Sequence, residues 1–246
     1  MQRARVNVCK KWHERRTRLF LPFILYHHLV CSVFDTMAVA LSQIRTLRTL
    51  YQASILAPAA DPALVRFKPL GTLLDRVSLY QGDITRLEVD SIVNAANQSL
   101  LGGGGVDGAI HRAAGHQLAE ECRTLHGCDT GDAKITKGYD LPSKHVIHTV
   151  GPIYSSKDAD EDAEMLTSCY RKSLDVGTAN SAFPSVSTGI YGYPIKDATH
   201  IALDVVRRYV ETEDKIERVI FVVWSDADKD VYQNLLPLYF PPEPEE

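Results

Sequence analysis

Residues 94–115 read Asn-Ala-Ala-Asn-Gln-Ser-Leu-Leu-Gly-Gly-Gly-Gly-Val-Asp-Gly-Ala-Ile-His-Arg-Ala-Ala-Gly. Two carboxamides, four consecutive glycines, one carboxylate and one imidazole follow an apolar run directly. Each glycine loses much backbone entropy on folding. A chain tolerates four in a row where its main chain must come close to a ligand, and bare N–H groups suit a phosphate. A flexible linker is the bland reading, and the flanks argue against it: Ser91-Ile92-Val93 has the pattern of a buried strand, and Asp107 to Ala114 that of a capped helix start. Gly102, Gly103, Gly104 and Gly105, with Val106, are therefore candidate ligand contacts.

The side chains around this loop have both a chemical and a structural reading. Asn94 and Asn97 can each donate and accept, which suits a ribose diol or an ordered water; either could instead close a local turn. Asp107 could orient or activate water at a ligand's reactive end, or act as a plain N-cap worth about 1 kcal/mol. His111 lies four residues on, on the same helical face, and could steer that carboxylate. Asp83, in Gly82-Asp83-Ile84-Thr85, could accept from an adenine amino group with Ile84 beside it, or form an Asx-turn. A second cradle is Ser187-Thr188-Gly189-Ile190-Tyr191, where Tyr191 could cover a ribose. Trp224 could stack on a base or sit in the core.

These residues need a scaffold that brings distant loops together. The sequence predicts strands over 77–81, 90–96, 133–139, 145–150, 183–187 and 218–224. It predicts helices over 37–51, 107–114, 115–125, 158–179, 195–210 and 226–236. Strands alternating with helices of this length imply an α/β fold, a three-layer α/β/α sandwich. In such sheets ligands bind beyond the carboxyl ends of the strands. The exits of 77–81, 90–96, 183–187 and 218–224 should then share one rim, and the candidate residues fall on those loops.

The chain of 246 residues suits one domain plus appendages, with 45% hydrophobic and 24% charged residues. Its net charge of −4 disfavours nucleic-acid binding through bulk electrostatics. Five cysteines form no C-x-x-C pair and the histidines show no H-E-x-x-H spacing. That argues against a disulfide framework or a zinc motif and for a reducing compartment. Residues 1–69 read as an extension and linker, 70–238 as the folded domain and 239–246 as a disordered acidic tail. Residues 1–18 carry seven basic residues and one acid, and an apolar run follows from Leu19 to Phe34, broken by Pro22. It is short for a membrane span. It could be a signal-peptide core, a mitochondrial presequence, or an upstream extension with Met37 as the true start. The abrupt change in composition favours the last.

Taken together, Gly82-Asp-Ile-Thr, Val93-Asn-Ala-Ala-Asn, the Gly102–His111 loop and Ser187-Thr-Gly-Ile-Tyr-Gly resemble the macrodomain family. The Gly-Gly-Gly-Gly-Val-Asp-Gly-Ala-Ile-His-Arg-Ala-Ala-Gly run is similar to its MacroD-type branch. The resemblance covers roughly residues 70–236 and implies a three-layer α/β/α fold with a central mixed sheet that binds ADP-ribose. It implies that Asp83 reads adenine, Asn97 contacts the distal ribose, and the two glycine loops hold the diphosphate. It further implies removal of ADP-ribose esterified to protein Asp or Glu, and deacetylation of O-acetyl-ADP-ribose, with Asp107 and His111 on the catalytic loop.

The expected chemistry is hydrolysis by a water placed by Asp107 and Asn97, without metal or cofactor and without a covalent acyl-enzyme. The expected partners are ADP-ribose and ADP-ribosylated proteins. The protein is expected to be a monomer with no membrane span, in cytoplasm or nucleus, or in mitochondria if the N-terminal segment directs import. Two other readings stand beside this one. One is a non-catalytic reader of ADP-ribose, with much the same pocket. The other is a nicotinamide-dependent oxidoreductase, built on the weak match of Gly103-x-Gly105-x-x-Gly108 to the dinucleotide fingerprint.

Overall fold

A computed structural model describes residues 37–243. The strands are short, apolar and buried on both faces: β2 (Val77–Gln81), β4 (Ser91–Ala95), β6 (His145–Thr149), β7 (Asn180–Pro184) and β8 (Arg218–Val223). Such runs suit parallel strands covered by helices on either side. With β5 (Ala133–Lys137) they form one six-stranded sheet in the order β2-β8-β7-β4-β6-β5. β5 is antiparallel to β6; every other pairing is parallel. The sheet is therefore mixed, and all five parallel strands end at the same edge.

Because side chains alternate across a strand, neighbours in sequence enter different cores. Val93, Ile147, Phe183, Val219 and Phe221 face one cluster, closed by α4 (Ala159–Val176), α5 (Ile195–Thr212) and α6 (Asp226–Tyr239). Ile92, Val146, Ala182 and Ile220 face the other, closed by α2 (Gly105–Ala114) and α3 (His116–Thr124). This is the expected three-layer α/β/α sandwich. Burial of each Val, Ile and Phe among them contributes about 1.5–3 kcal/mol.

Two local expectations change. The helix predicted over 37–51 is in fact strand β1 (Val39–Ala40), paired with β3 (Leu87–Glu88), then a 3-10 turn, then α1 (Leu47–Gln52). The apolar spacing was real, but it served two cores: Ile44 packs into one cluster, Leu47 and Leu50 into the other. The strand predicted over 183–187 lies three residues earlier. Its polar first residue hid it: the Asn180 backbone N–H and side-chain amide donate to Asp90 Oδ2 at 3.1 and 2.8 Å.

The domain limits also move outward on both sides. Leu47, Leu50 and Leu56 are core residues, and Tyr239 and Phe240, placed in the tail by sequence, are fully buried. Arg207 joins the two ends. It is 2% exposed, donates to the carbonyls of Tyr239 (2.9 Å) and Lys68 (3.1 Å), and lies over the rings of Phe67 and Phe240. Gly71 N–H donates to the Glu243 carboxylate at 3.0 Å. The expectations about a targeting segment, and the last three acidic-tail residues, lie outside the described residues. Among the described residues no helix is long and apolar enough to cross a membrane.

Candidate functional site

A cavity of about 590 Å³ opens at the carboxyl edge of the sheet, within the usual range for a small-molecule site. Its wall comes from the exits of β2, β4, β7 and β8, as the sequence suggests, and also from Gly151 beyond β6. Asp83, Ile84, Asn97, Gly104, Gly105, Val106, Asp107, Ser187, Thr188, Gly189, Ile190, Tyr191 and Trp224 all line it.

Asp83 combines both of its readings. Its Oδ1 accepts from Thr85 N–H (2.9 Å) and Thr85 Oγ1 (2.7 Å), capping a short turn, while the residue faces the cavity. Trp224 is not a core residue: it is 75% exposed on the cavity rim. Ile190, 85% exposed, belongs to the opposite loop, and its Cδ1 would stand 3.2 Å from a Cβ at Gly104. The two glycine loops thus approach one another across the mouth.

The first turn of α2 presents N–H groups of the kind that suit an anion. Its N-cap is Gly104, with no side-chain cap, so the initial N–H groups have no partner within the helix. Gly105 has φ +58°, a conformation side chains disfavour. At both Gly105 and Gly189 an added Cβ would meet nothing within 4 Å. Protein packing therefore does not require either position to be bare; at Gly105 the backbone conformation favours glycine, and at Gly189 the space beside the chain is open to the cavity. Gly108 differs, because a Cβ there would sit 2.4 Å from the Gly103 carbonyl oxygen.

Asp107, on α2, is 4% exposed. Its Oδ1 accepts from Asn94 Nδ2 at 2.7 Å, and its Oδ2 lies 3.4 Å from Asn97 Nδ2. Burial pushes its pKa above the usual carboxylate range, against the pull of Asn94 and His111. An added Cβ at Gly103 would stand 3.0 Å from Asp107 Oδ2 and 3.1 Å from Asn97 Nδ2. The missing side chain spares this acceptor and donor from crowding. A water or hydroxyl, which does both, fits that pair.

Three expected ligand contacts, Asn94, Gly102 and Gly103, stand off the cavity wall, and so does His111, expected on the catalytic loop. Asn94 is fully buried beneath Asp107. The Gly102 carbonyl accepts from Asn97 Nδ2 at 2.9 Å and so orients that amide. His111 Nε2 lies 3.5 Å from Asp107 Oδ1, on the side away from the cavity, and burial lowers its pKa. It can bias Asp107 but does not line the ligand space.

The sequence reading missed Ser185, Gly151 and Asp228 on the wall. Gly151 could have been found by applying the strand-exit rule to β6 as well. It also missed a cluster of the part-buried His111 with the buried Cys122 and His148, whose donor atoms lie within 4.8 Å of one another. Its members come from α2, α3 and β6, so no spacing motif betrays it. The Cys122 thiol is pushed up to about 11 by burial. The ring of His148 already contacts Asn94 and Thr136, which is the chemistry of a hydrogen-bonded network rather than a metal cage.

Comparison with known proteins agrees with this geometry. The family model for the Macro domain matches residues 93–202. Over 181 residues the chain is 52% identical to "ADP-ribose glycohydrolase MACROD1" of Rattus norvegicus, covering 72% of this chain and 70% of that one. The chain belongs to the macro domain family. A macro domain-containing protein of Chlorobaculum tepidum is 59% identical over 164 residues, 65% of this chain and 95% of that one. The match covers 57% of the Mus musculus MACROD1 protein. Among solved structures, the Trypanosoma brucei macrodomain in complex with ADP-ribose is 38% identical with a TM-score of 0.67, covering 81% of this chain and 77% of that one. Membership in this family sets aside the oxidoreductase reading. The glycine loop of this macro domain follows β4 rather than the first strand, and its strand order is not the 3-2-1-4-5-6 order of dinucleotide folds.

Proposed function

We propose that this macro domain binds ADP-ribose in the cavity and hydrolyses the bond joining its distal ribose to an acyl group, whether a protein Asp or Glu side chain or acetate. Asp83 and Trp224 take the adenine end. The free N–H groups at the start of α2 and the 187–191 loop take the diphosphate. The distal ribose then reaches Asn97 and Asp107.

The observation that carries this reading is the pairing of Asp107 Oδ2 with Asn97 Nδ2, 3.4 Å apart, by two residues that both line the cavity. A water held there keeps one hydrogen on the carboxylate and one lone pair on the amide. Attack places the water's hydroxyl on the carbon released from oxygen, and its other proton ends on the departing oxygen. ADP-ribose and the free acid result. Asp107 accepts and returns that proton, and its raised pKa makes it a better base than a solvated aspartate. The N–H groups of α2 also stabilise charge close to the reacting centre. The named activity of the rat relative, ADP-ribose glycohydrolase, supports the same reading.

The test is incubation with a protein mono-ADP-ribosylated on glutamate, with release of ADP-ribose followed by mass spectrometry. Release that disappears in Asp107→Ala supports the proposal. Tight ADP-ribose binding without release, under all conditions, assigns the protein as a reader instead.

A further inference from the structure

Neighbouring strands β4 and β6 place Asn94 directly opposite His148. The Asn94 side-chain nitrogen contacts two groups at once, Asp107 Oδ1 at 2.7 Å and His148 Nδ1 at 3.1 Å. It has two hydrogens to give. The carboxylate can only accept, so one hydrogen goes there; the other meets His148 Nδ1, which must then carry a lone pair. The ring proton therefore sits on Nε2, which lies 3.0 Å from Thr136 Oγ1 and 3.7 Å from Cys122 Sγ. Asn94, His148 and Cys122 are fully buried, and Thr136 is nearly so.

We infer that His148 is a positioning residue: its neutral Nε2–H tautomer locks the Asn94 amide so that this amide holds Asp107 in its working orientation. The inference rests on the proposed role of Asp107. The Asn94 carbonyl oxygen has no partner of its own, so only the two acceptors decide which way the amide points. A proton on Nδ1 would set two donors against each other. The amide would turn, and its oxygen would face the Asp107 carboxylate. The titratable groups facing His148 are Asp107 and His111 from α2 and Cys122 from α3. Burial, reinforced by His111, holds the His148 pKa down at about 3, so the ring stays neutral.

Three variants separate this role from a merely structural one. In His148→Asn, the new amide oxygen takes the place of Nδ1 and can still accept from Asn94. In His148→Gln, the terminal nitrogen replaces Nε2 and the acceptor is lost; in His148→Leu both are lost. The Gln and Leu variants should lose at least about tenfold in kcat with ADP-ribose Kd unchanged, and Asn should restore most of the rate. Equal losses in all three, or a loss in Kd matching that in kcat, overturns the inference. Nitrogen NMR on the wild-type protein gives a second readout that needs neither activity nor a folded variant. The His148 ring should show the Nε2–H tautomer without titration between about pH 5 and 8. An Nδ1–H ring, or a protonated one, refutes the inference. Should the wild-type protein release no ADP-ribose, the proposed function fails, and the tautomer still decides the role of His148.

Discussion

The Asn94 side-chain amide donates to Asp107 Oδ1 across 2.7 Å, from a position with no solvent exposure. One carboxylate oxygen is thereby committed to the protein. The other, Oδ2, is turned toward Asn97 and the ligand space. A buried amide thus gives a catalytic candidate one defined face. It also partly offsets the cost of burying the charge.

Asp107→Asn should separate activity from stability. The new side chain can still accept from Asn94 through its oxygen, and the burial penalty that raises the Asp107 pKa disappears. ADP-ribose release should fall by at least about 100-fold, while the melting temperature at neutral pH stays level or rises. A lower melting temperature would mean that the charge itself stabilises the fold.

Acid should weaken the fold through His148. An unfolded histidine titrates near about 6.5, and the folded ring only at about 3. Between those values the unfolded chain binds a proton that the folded state rejects. The His148 contribution is whole above about pH 6.5 and is lost as pH falls, at up to about 1.4 kcal/mol per pH unit. His111, lowered as well, acts in the same direction; Asp107, raised, opposes it. Urea unfolding at pH 7 and pH 5 should show the wild-type protein losing about 2 kcal/mol more than His148→Gln. Parallel losses would show that His148 does not titrate in this way.

Gly189→Val tests the ligand space without straining the chain. Its φ is ordinary, and an added Cβ meets nothing within 4 Å. The melting temperature should hold, and calorimetry should show ADP-ribose affinity falling by about tenfold, or about 1.4 kcal/mol. Unchanged affinity would move the diphosphate away from this loop.

Trp224→Ala removes an exposed ring at the rim. Its effect on stability should be small, with affinity reduced by the worth of a stacked aromatic pair, about 0.5–1.5 kcal/mol. If ADP-ribose and ribose 5-phosphate lose affinity equally, the indole does not contact the base.

Much of this protein was legible before any fold was seen. The glycine loop after a buried strand, the residues at the strand exits and the α/β alternation are local patterns, and backbone geometry and hydrophobic periodicity make them readable. Asp83, Asp107 and the 187–191 loop were found that way. Other features were settled only by the packed chain. Asn94 looks like a ligand contact in sequence, yet it lies behind Asp107, because the direction of a side chain is set by the helix packed on the sheet. His148 carried no signal, since its meaning comes from lying beside Asn94 on a neighbouring strand and beneath a helix 37 residues earlier in the chain. Spacing along a chain reports which groups share an element. Which of them share a proton depends on contacts between elements, and those exist only once the layers have closed.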